Sequence, residues 1–215
     1  MTRPDRHRFV TLKPSWRDHA EISPCGMAGG DVLFEWIDEG RPLVVASSAA
    51  GDEATTVRLG LSTPQKQRYG LRVGLDAINY LLTPVTLEAA ASSAPDEWQP
   101  TINAVLNVAE KHGLFLSVFG SLAWSYLSGE SHLRPTSDLD LLVSAPANTD
   151  TLTGIRALLD LDSLPRLDGE LVLANGAGVN LREYAGQPGH ILVKQHGGPQ
   201  LVSLAKLMKF EGMAA

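Results

Sequence analysis

Hydrophobic positions along this chain recur with two periods, about 3.6 residues and two, and their order predicts two units. In the first, Asp31 to Ile37 alternates apolar and polar positions, Pro42 to Ala46 is a short β-rich run, and Val57 to Leu61 is a further strand. Pro64 then opens an expected helix carrying Leu71, Val73, Leu75, Ile78 and Leu81. Gly70 and Gly74 weaken that helix by roughly 1 kcal/mol each relative to alanine. The small-residue stretch Ala89 to Asp96, with Pro95 in it, reads as a linker. The boundary is therefore set between residues 92 and 93, with a small α+β unit over 1–92.

The second unit, 93–215, is more regular. Thr101 to His112 has helical spacing through Ile102, Val105, Leu106 and Ala109, with Gly113 as its stop. Leu114 to Phe119 reads as a buried strand, Gly120-Ser121 as a turn and Leu122 to Leu127 as a helix. A polar loop leads to the strand Ser137 to Val143, and Thr151 to Leu161 follows as a helix. Leu167 to Ala174 and Gly178 to Tyr184 are strands joined by the hairpin signal Asn175-Gly176. Ile191 to Lys194 is a short strand, and Leu201 to Phe210 closes as a helix. Strands interleaved with helices and ending in a hairpin describe an α+β fold, a mixed sheet with helices packed on it.

Composition narrows the function classes. With 44% hydrophobic and 20% charged residues in 215, the chain can bury a core. A formal charge of −6 opposes a main task of holding nucleic acid, which needs a basic field. A phosphorylated small molecule remains open, because it needs only a local cluster of cations and N–H groups. Cys25 is the only cysteine, so neither an internal disulfide nor a cysteine zinc site can form, and an inert thiol in a reducing compartment is expected. The polar start, Met1 to Val10, and the lack of a run of membrane-span length lead to the expectation of a soluble, cytoplasmic protein.

Two short stretches carry the chemistry. In Ser137-Asp138-Leu139-Asp140-Leu141-Leu142-Val143, residues two apart share a strand face, about 6–7 Å from each other. Asp138 and Asp140 therefore project together, while Leu139, Leu141 and Val143 face the other way. Two carboxylates on one face repel, and a divalent cation such as Mg2+ removes the conflict. In Phe119-Gly120-Ser121, Gly120 allows a phosphate close to the backbone, the following helix aims N–H groups at it, and the Ser121 hydroxyl adds a donor. A metal on two carboxylates facing an anion nest suits attack at phosphorus.

These residues resemble the nucleotidyltransferase superfamily related to DNA polymerase β, whose signature is a strand, Gly-Ser, a helix, and a strand with Asp-x-Asp. The resemblance implies a nucleotidyltransferase-like second unit and a third carboxylate from a later strand. Glu170 is the first choice; Asp168 shares its strand face, and Glu183 is the competitor from the hairpin's second strand.

More of the chain is similar to one branch, the phosphoribosyl-dephospho-CoA transferase of malonate decarboxylase, its holo-acyl-carrier-protein synthase. Phe119 to Trp124 (Phe-Gly-Ser-Leu-Ala-Trp), Ser137 to Leu142, Asp168 to Leu171 and Val179 to Glu183 carry the likeness, with Pro42 to Val45, Leu59 to Leu61, Pro64 and Arg68 upstream. The chain departs from that pattern at Ala46 and Ser47, where an arginine is expected, and at Leu181, where a tryptophan is. The resemblance implies that a serine of the apo acyl-carrier subunit attacks 2′-(5″-triphosphoribosyl)-3′-dephospho-CoA and pyrophosphate leaves. Asp138, Asp140 and Glu170 would hold Mg2+, Gly120 and Ser121 would bind phosphates, and Lys194, Arg182, Arg134, Lys66 and Arg68 are candidate counter-cations. His132, His190 and His196 are possible bases, and Trp124 fits core packing better than stacking on adenine. Transfer of AMP or another nucleotide, and non-catalytic nucleotide binding, stand as the alternatives.

Overall fold

The computed structural model describes residues 2–22, 30–49 and 51–207; Cys25 lies outside them. The chain divides into residues 1–84 with 196–198, and residues 85–195 with 199–215. Each unit has its own six-stranded sheet, and the fold is α+β.

In the first unit, β1 (Phe9–Leu12), β2 (Ala20–Ile22), β3 (Leu43–Val45), β4 (Thr56–Ser62), β5 (Arg68–Gly74) and β6 (Ile78–Leu81) form an antiparallel sheet in the order β2-β5-β4-β3-β1-β6. Residues 68–81, expected as a helix, are two strands instead. Tyr69, Leu71 and Val73 are spaced by two and buried, and Gly70, Arg72 and Gly74 take the other face. The turn before β5 is closed by Thr63 N–H and C=O, with Lys66 at φ 66. The alternating stretch 31–37 is instead the helix α1 (Gly30–Asp38), whose Leu33, Trp36 and Ile37 fall at helical spacing and are buried.

One carboxylate organises the polar face of this sheet. Arg58 and Arg72 are directly opposed on β4 and β5. Asp52 accepts a fork from Arg58 at 2.7 and 2.8 Å, with Arg72 at 3.7 Å and Arg3 at 3.8 Å. Arg58 first, then the Ala49 N–H, hold the Asp52 carboxyl well below the usual carboxylate range.

The second unit begins at Val85, ahead of the expected boundary. The stretch read as a linker is ordered: Thr86 accepts from Ala89 N–H and caps α2 (Leu87–Ala90), whose Leu87 and Ala90 are fully buried. Next come α3 (Gln99–His112), β7 (Phe115–Val118), α4 (Gly120–Ser128), β8 (Leu139–Ser144), α5 (Thr151–Leu159), β9 (Leu167–Val172), β10 (Gly178–Asn180), α6 (Leu181–Gly186), β11 (His190–Gln195) and β12 (Gly198–Ser203). The sheet order is β12-β11-β10-β9-β8-β7. Strands β8 and β9 are parallel, joined over α5, and β7–β8, β9–β10 and β10–β11 are antiparallel, so this is a mixed sheet. Leu139, Leu141 and Val143 are completely buried, as their spacing predicts.

Two expected elements differ. The strand expected over 178–184 ends at Asn180, whose side chain accepts from Arg182 and Glu183 N–H at 3.0 and 3.2 Å and so starts α6. The helix expected over 201–210 is strand through Ser203 and helical only from Leu204 to Leu207, and 208–210 lie outside the described residues. No helix among the described residues is long and apolar enough to cross a membrane.

Candidate functional site

The Gly-Ser turn and the acidic strand meet directly. Gly120 sits at φ +63, a left-handed conformation that L residues adopt at a cost. A Cβ there would collide with the Asp140 carboxylate, whose Cγ lies 2.9 Å from the ideal Cβ position. The backbone repeats the connection, because Phe119 N–H donates to Asp140 C=O at 3.2 Å. The start of α4, with Gly120 and Ser121 as its first residues, therefore lies against a carboxylate. Phe119 gives that helix no side-chain cap, and the helix begins directly at Gly120.

Strand register identifies a further carboxylate. Asp140 on β8 faces Asp168 on β9, and Leu142 faces Glu170. Neighbouring strands lie about 4.8 Å apart, so Asp168 is the acidic side chain beside Asp140, and Glu170 is one pleat farther along. Gly169 makes that approach possible, since a Cβ would run into the Leu141 backbone. Its N–H donates to Asp168 Oδ1 at 2.8 Å, and Asn180 Nδ2 reaches the same oxygen at 3.4 Å.

Asp138 immediately precedes β8 and is gripped by a residue that sequence reasoning missed. Arg166 Nε donates to Oδ1 at 3.1 Å and Nη2 to Oδ2 at 2.5 Å. The Arg166 fork holds the Asp138 carboxyl below its ordinary value, with the charge of Arg182 adding to it. Asp138, and more weakly Asp168 and Asp140, raise the Arg166 guanidinium in turn. Only the parallel register brings Arg166 here; an isolated Pro-Arg before an apolar strand gives no signal.

The other predicted residues take different places. Glu170 is buried and accepts from Lys194 Nζ at 2.7 Å, so these two form a pair beside the cluster. Glu183 lies on α6, and its Oε1 accepts Leu192 N–H at 2.8 Å, serving as acceptor for β11. Arg182 donates to Leu167 C=O at 2.9 Å, close enough to act on Asp138. Arg134 lies in an exposed turn closed by Ser137, while Lys66 and Arg68 belong to the β4–β5 hairpin of the first unit. His132 is buried, stacked on Trp124 at 5.9 Å and bonded to Ser128 Oγ at 3.1 Å, which makes it part of the packing under α4. Trp124 is core. His196 pairs with Asp5 at 3.3 Å, and His190 is exposed at the start of β11.

The donor set suits a hard divalent cation, since Asp138, Asp140 and Asp168 offer only carboxylate oxygens. Among the described residues, no three His, Cys, Asp or Glu side chains converge into a ready cage. Both oxygens of Asp138 are engaged by Arg166.

Comparison with known proteins matches this layout. The family described as phosphoribosyl-dephospho-CoA transferase MdcG N-terminal domain matches residues 5–84, and the corresponding C-terminal domain matches residues 86–205. A phosphoribosyl-dephospho-CoA transferase of Xanthomonas euvesicatoria pv. vesicatoria is 35% identical over 214 residues, covering 97% of this chain and 99% of the relative. Relatives of the same name are 34% identical in Bradyrhizobium diazoefficiens (89% and 86% covered) and 32% identical in Pseudomonas syringae pv. tomato (76% and 78%). No solved structure matches. Two family models end to end, and full-length likeness at this identity, have one reading: the chain belongs to the phosphoribosyl-dephospho-CoA transferase family.

Proposed function

We propose that this protein transfers the 2′-(5″-phosphoribosyl)-3′-dephospho-CoA group from its triphosphoribosyl precursor to a serine of the apo acyl-carrier subunit of malonate decarboxylase, as an Mg2+-dependent nucleotidyltransferase. The observation that carries the reading is the contact of Gly120 with the Asp140 carboxylate. It puts the start of α4, which this reading takes as the phosphate site, beside an acidic cluster, the two halves that displacement at phosphorus requires.

The roles divide by chemistry. The serine oxygen attacks the α-phosphorus, the bond from that phosphorus to the bridging oxygen breaks, and pyrophosphate leaves. Asp138, Asp140 and Asp168 would hold the metal, with Asp168 as third carboxylate in preference to Glu170 or Glu183. A bound Mg2+ supplies charge neutralisation at the phosphate under attack and acidifies the incoming hydroxyl. Asp168, oriented through Oδ1 by Gly169 and Asn180, takes the serine proton on Oδ2. Gly120, Ser121 and the first amides of α4 bind the β- and γ-phosphates, and Arg182 adds a positive charge. Glu170 orients Lys194 beside them.

Charge distribution supports a need for imported cations. Residues 85–215 contain eight Lys and Arg against fourteen Asp and Glu, a net of −6, while residues 1–84 balance ten against ten. A triphosphate entering so acidic a unit meets repulsion unless cations come with it.

The test is to mix the protein with apo carrier, precursor and Mg2+ and weigh the carrier. A gain of the prosthetic group's mass on the carrier's serine, with one pyrophosphate released per transfer, is expected. Stabilisation by ATP but not by the precursor in a thermal-shift comparison, or a carrier that gains AMP, would replace this reading with general nucleotide transfer.

A further inference from the structure

Arg166 has no role in the reaction just described, yet it holds the best-engaged position in the acidic cluster. Its backbone is anchored, because its C=O accepts Leu139 N–H at 2.9 Å, next to the residue it grips. Its side chain is 61% exposed, so the guanidinium can leave Asp138 without disturbing the sheet. Both oxygens of Asp138 are occupied by the fork. A carboxylate chelated in this way does not present the same lone pairs to a metal. Removing the guanidinium and supplying nothing would leave Asp138, Asp140 and Asp168 to repel one another.

We propose that Arg166 is a displaceable internal counter-cation, which occupies Asp138 until the metal and the substrate's triphosphate arrive and then passes to the phosphate. This rests on the metal-dependent reading above and extends it to how the site is loaded. A guanidinium fork fits phosphate oxygens as well as carboxylate oxygens, so the transfer exchanges one charge-assisted pair for another. The anion withdraws the competitor from Asp138, and the freed carboxylate favours the metal. Metal and anion binding are thereby coupled through one side chain, and the coupling is reciprocal. An exposed ion pair shifts an equilibrium by up to about fivefold, small enough for the exchange to be readily reversible. Arg166 is thus a positioning residue that acts through Asp138.

The experiment uses the full chain and Mn2+ alone, titrated by calorimetry. Arg166→Gln should bind Mn2+ about three- to fivefold more tightly than the parent protein. In an Asp138→Asn background the same substitution should lose most of its effect on Mn2+ binding, keeping only the weaker influence of its charge on Asp140 and Asp168, which a merely structural role would not produce. Without metal, Arg166→Gln should weaken binding of tripolyphosphate, and Arg166→Lys should restore part of it. Should Arg166→Gln fail to fold, the parent protein labelled with 15N still decides: the Arg166 Nε–H resonance, assigned from Arg166→Lys, should shift and broaden as Mg2+ saturates. Unchanged Mn2+ affinity in Arg166→Gln, or an Arg166 resonance indifferent to Mg2+, would overturn the proposal while leaving the metal reading intact. A parent protein that binds neither ion would remove the metal reading, and this proposal with it.

Discussion

Gly120→Ala is the sharpest single probe of the site, because its two penalties can be separated. The first is the dihedral: at φ +63 an alanine costs about 1–2 kcal/mol. The second is the collision with Asp140, which must leave its rotamer at about 0.5–1.5 kcal/mol, or push the turn away. Together they predict destabilisation of the second unit by about 1.5–3.5 kcal/mol. Gly129 provides the control, since it ends the same helix at φ +72 with nothing within 4 Å of its ideal Cβ. Gly129→Ala therefore meets the dihedral penalty alone, about 1–2 kcal/mol. Urea denaturation reports both, through midpoints at unchanged slope in the transition of the second unit. Activity separates them further. A carboxylate displaced by about an ångström should lower transfer roughly a hundredfold in Gly120→Ala, while folded Gly129→Ala keeps near-parent rates. Equal losses of stability and of rate in the two variants would refute the claim that Gly120 exists to admit Asp140.

Other expectations follow from the same geometry. Asp138→Asn, Asp140→Asn and Asp168→Asn should each lower prosthetic-group transfer by about a hundredfold or more, measured as carrier mass gained per minute, and Glu170→Gln by about tenfold at most. A Glu170→Gln loss equal to that of Asp168→Asn would return Glu170 to the metal set. His132→Leu should reduce stability by about 1–3 kcal/mol in thermal unfolding and leave the folded protein's pH–rate profile in place; a lost acidic limb would make it a catalytic base. Asp52 has a depressed carboxyl pKa, so its contribution is present above the unfolded value, about pH 4, and is lost as the pH falls toward the folded one. The stability gap between the parent protein and Asp52→Asn, followed by urea midpoints across pH, should therefore be widest near neutrality and close in acid. A gap that widened below about pH 4 would reverse that sign.

The motif residues were legible in the sequence because each states its constraint locally. Asp138 and Asp140 alternate with Leu139 and Leu141, and Gly120 precedes a helix, so parity and backbone freedom are written in adjacent positions. What the sequence does not state locally is strand pairing. Asp168 and Glu170 have the same parity, and only the register Asp140 to Asp168 distinguishes them. Arg166 reaches Asp138 across the same register. Gly178 to Tyr184 reads as continuous strand, yet Asn180 turns the chain into α6, where the Glu183 carboxylate accepts Leu192 N–H. In the first unit, Leu71, Val73 and Leu75 already carried the two-residue spacing of a strand, which the expected helix after Pro64 overrode.

The parallel pairing of β8 with β9 also governs when the site comes into being. Asp138 and Arg166 are 28 residues apart, as are Asp140 and Asp168. Closing a loop of that length costs about 3 kcal/mol of chain entropy before any contact repays it. A nascent chain that has emerged only as far as Ser144 therefore displays the apolar edge of β8 with its carboxylates unpartnered. The acidic centre assembles only after Val172 is available, all carboxylates and their arginine at once. Stalled or truncated chains would lack the assembled acidic cluster and carry an unprotected strand edge, which marks them for aggregation or proteolysis rather than for partial function.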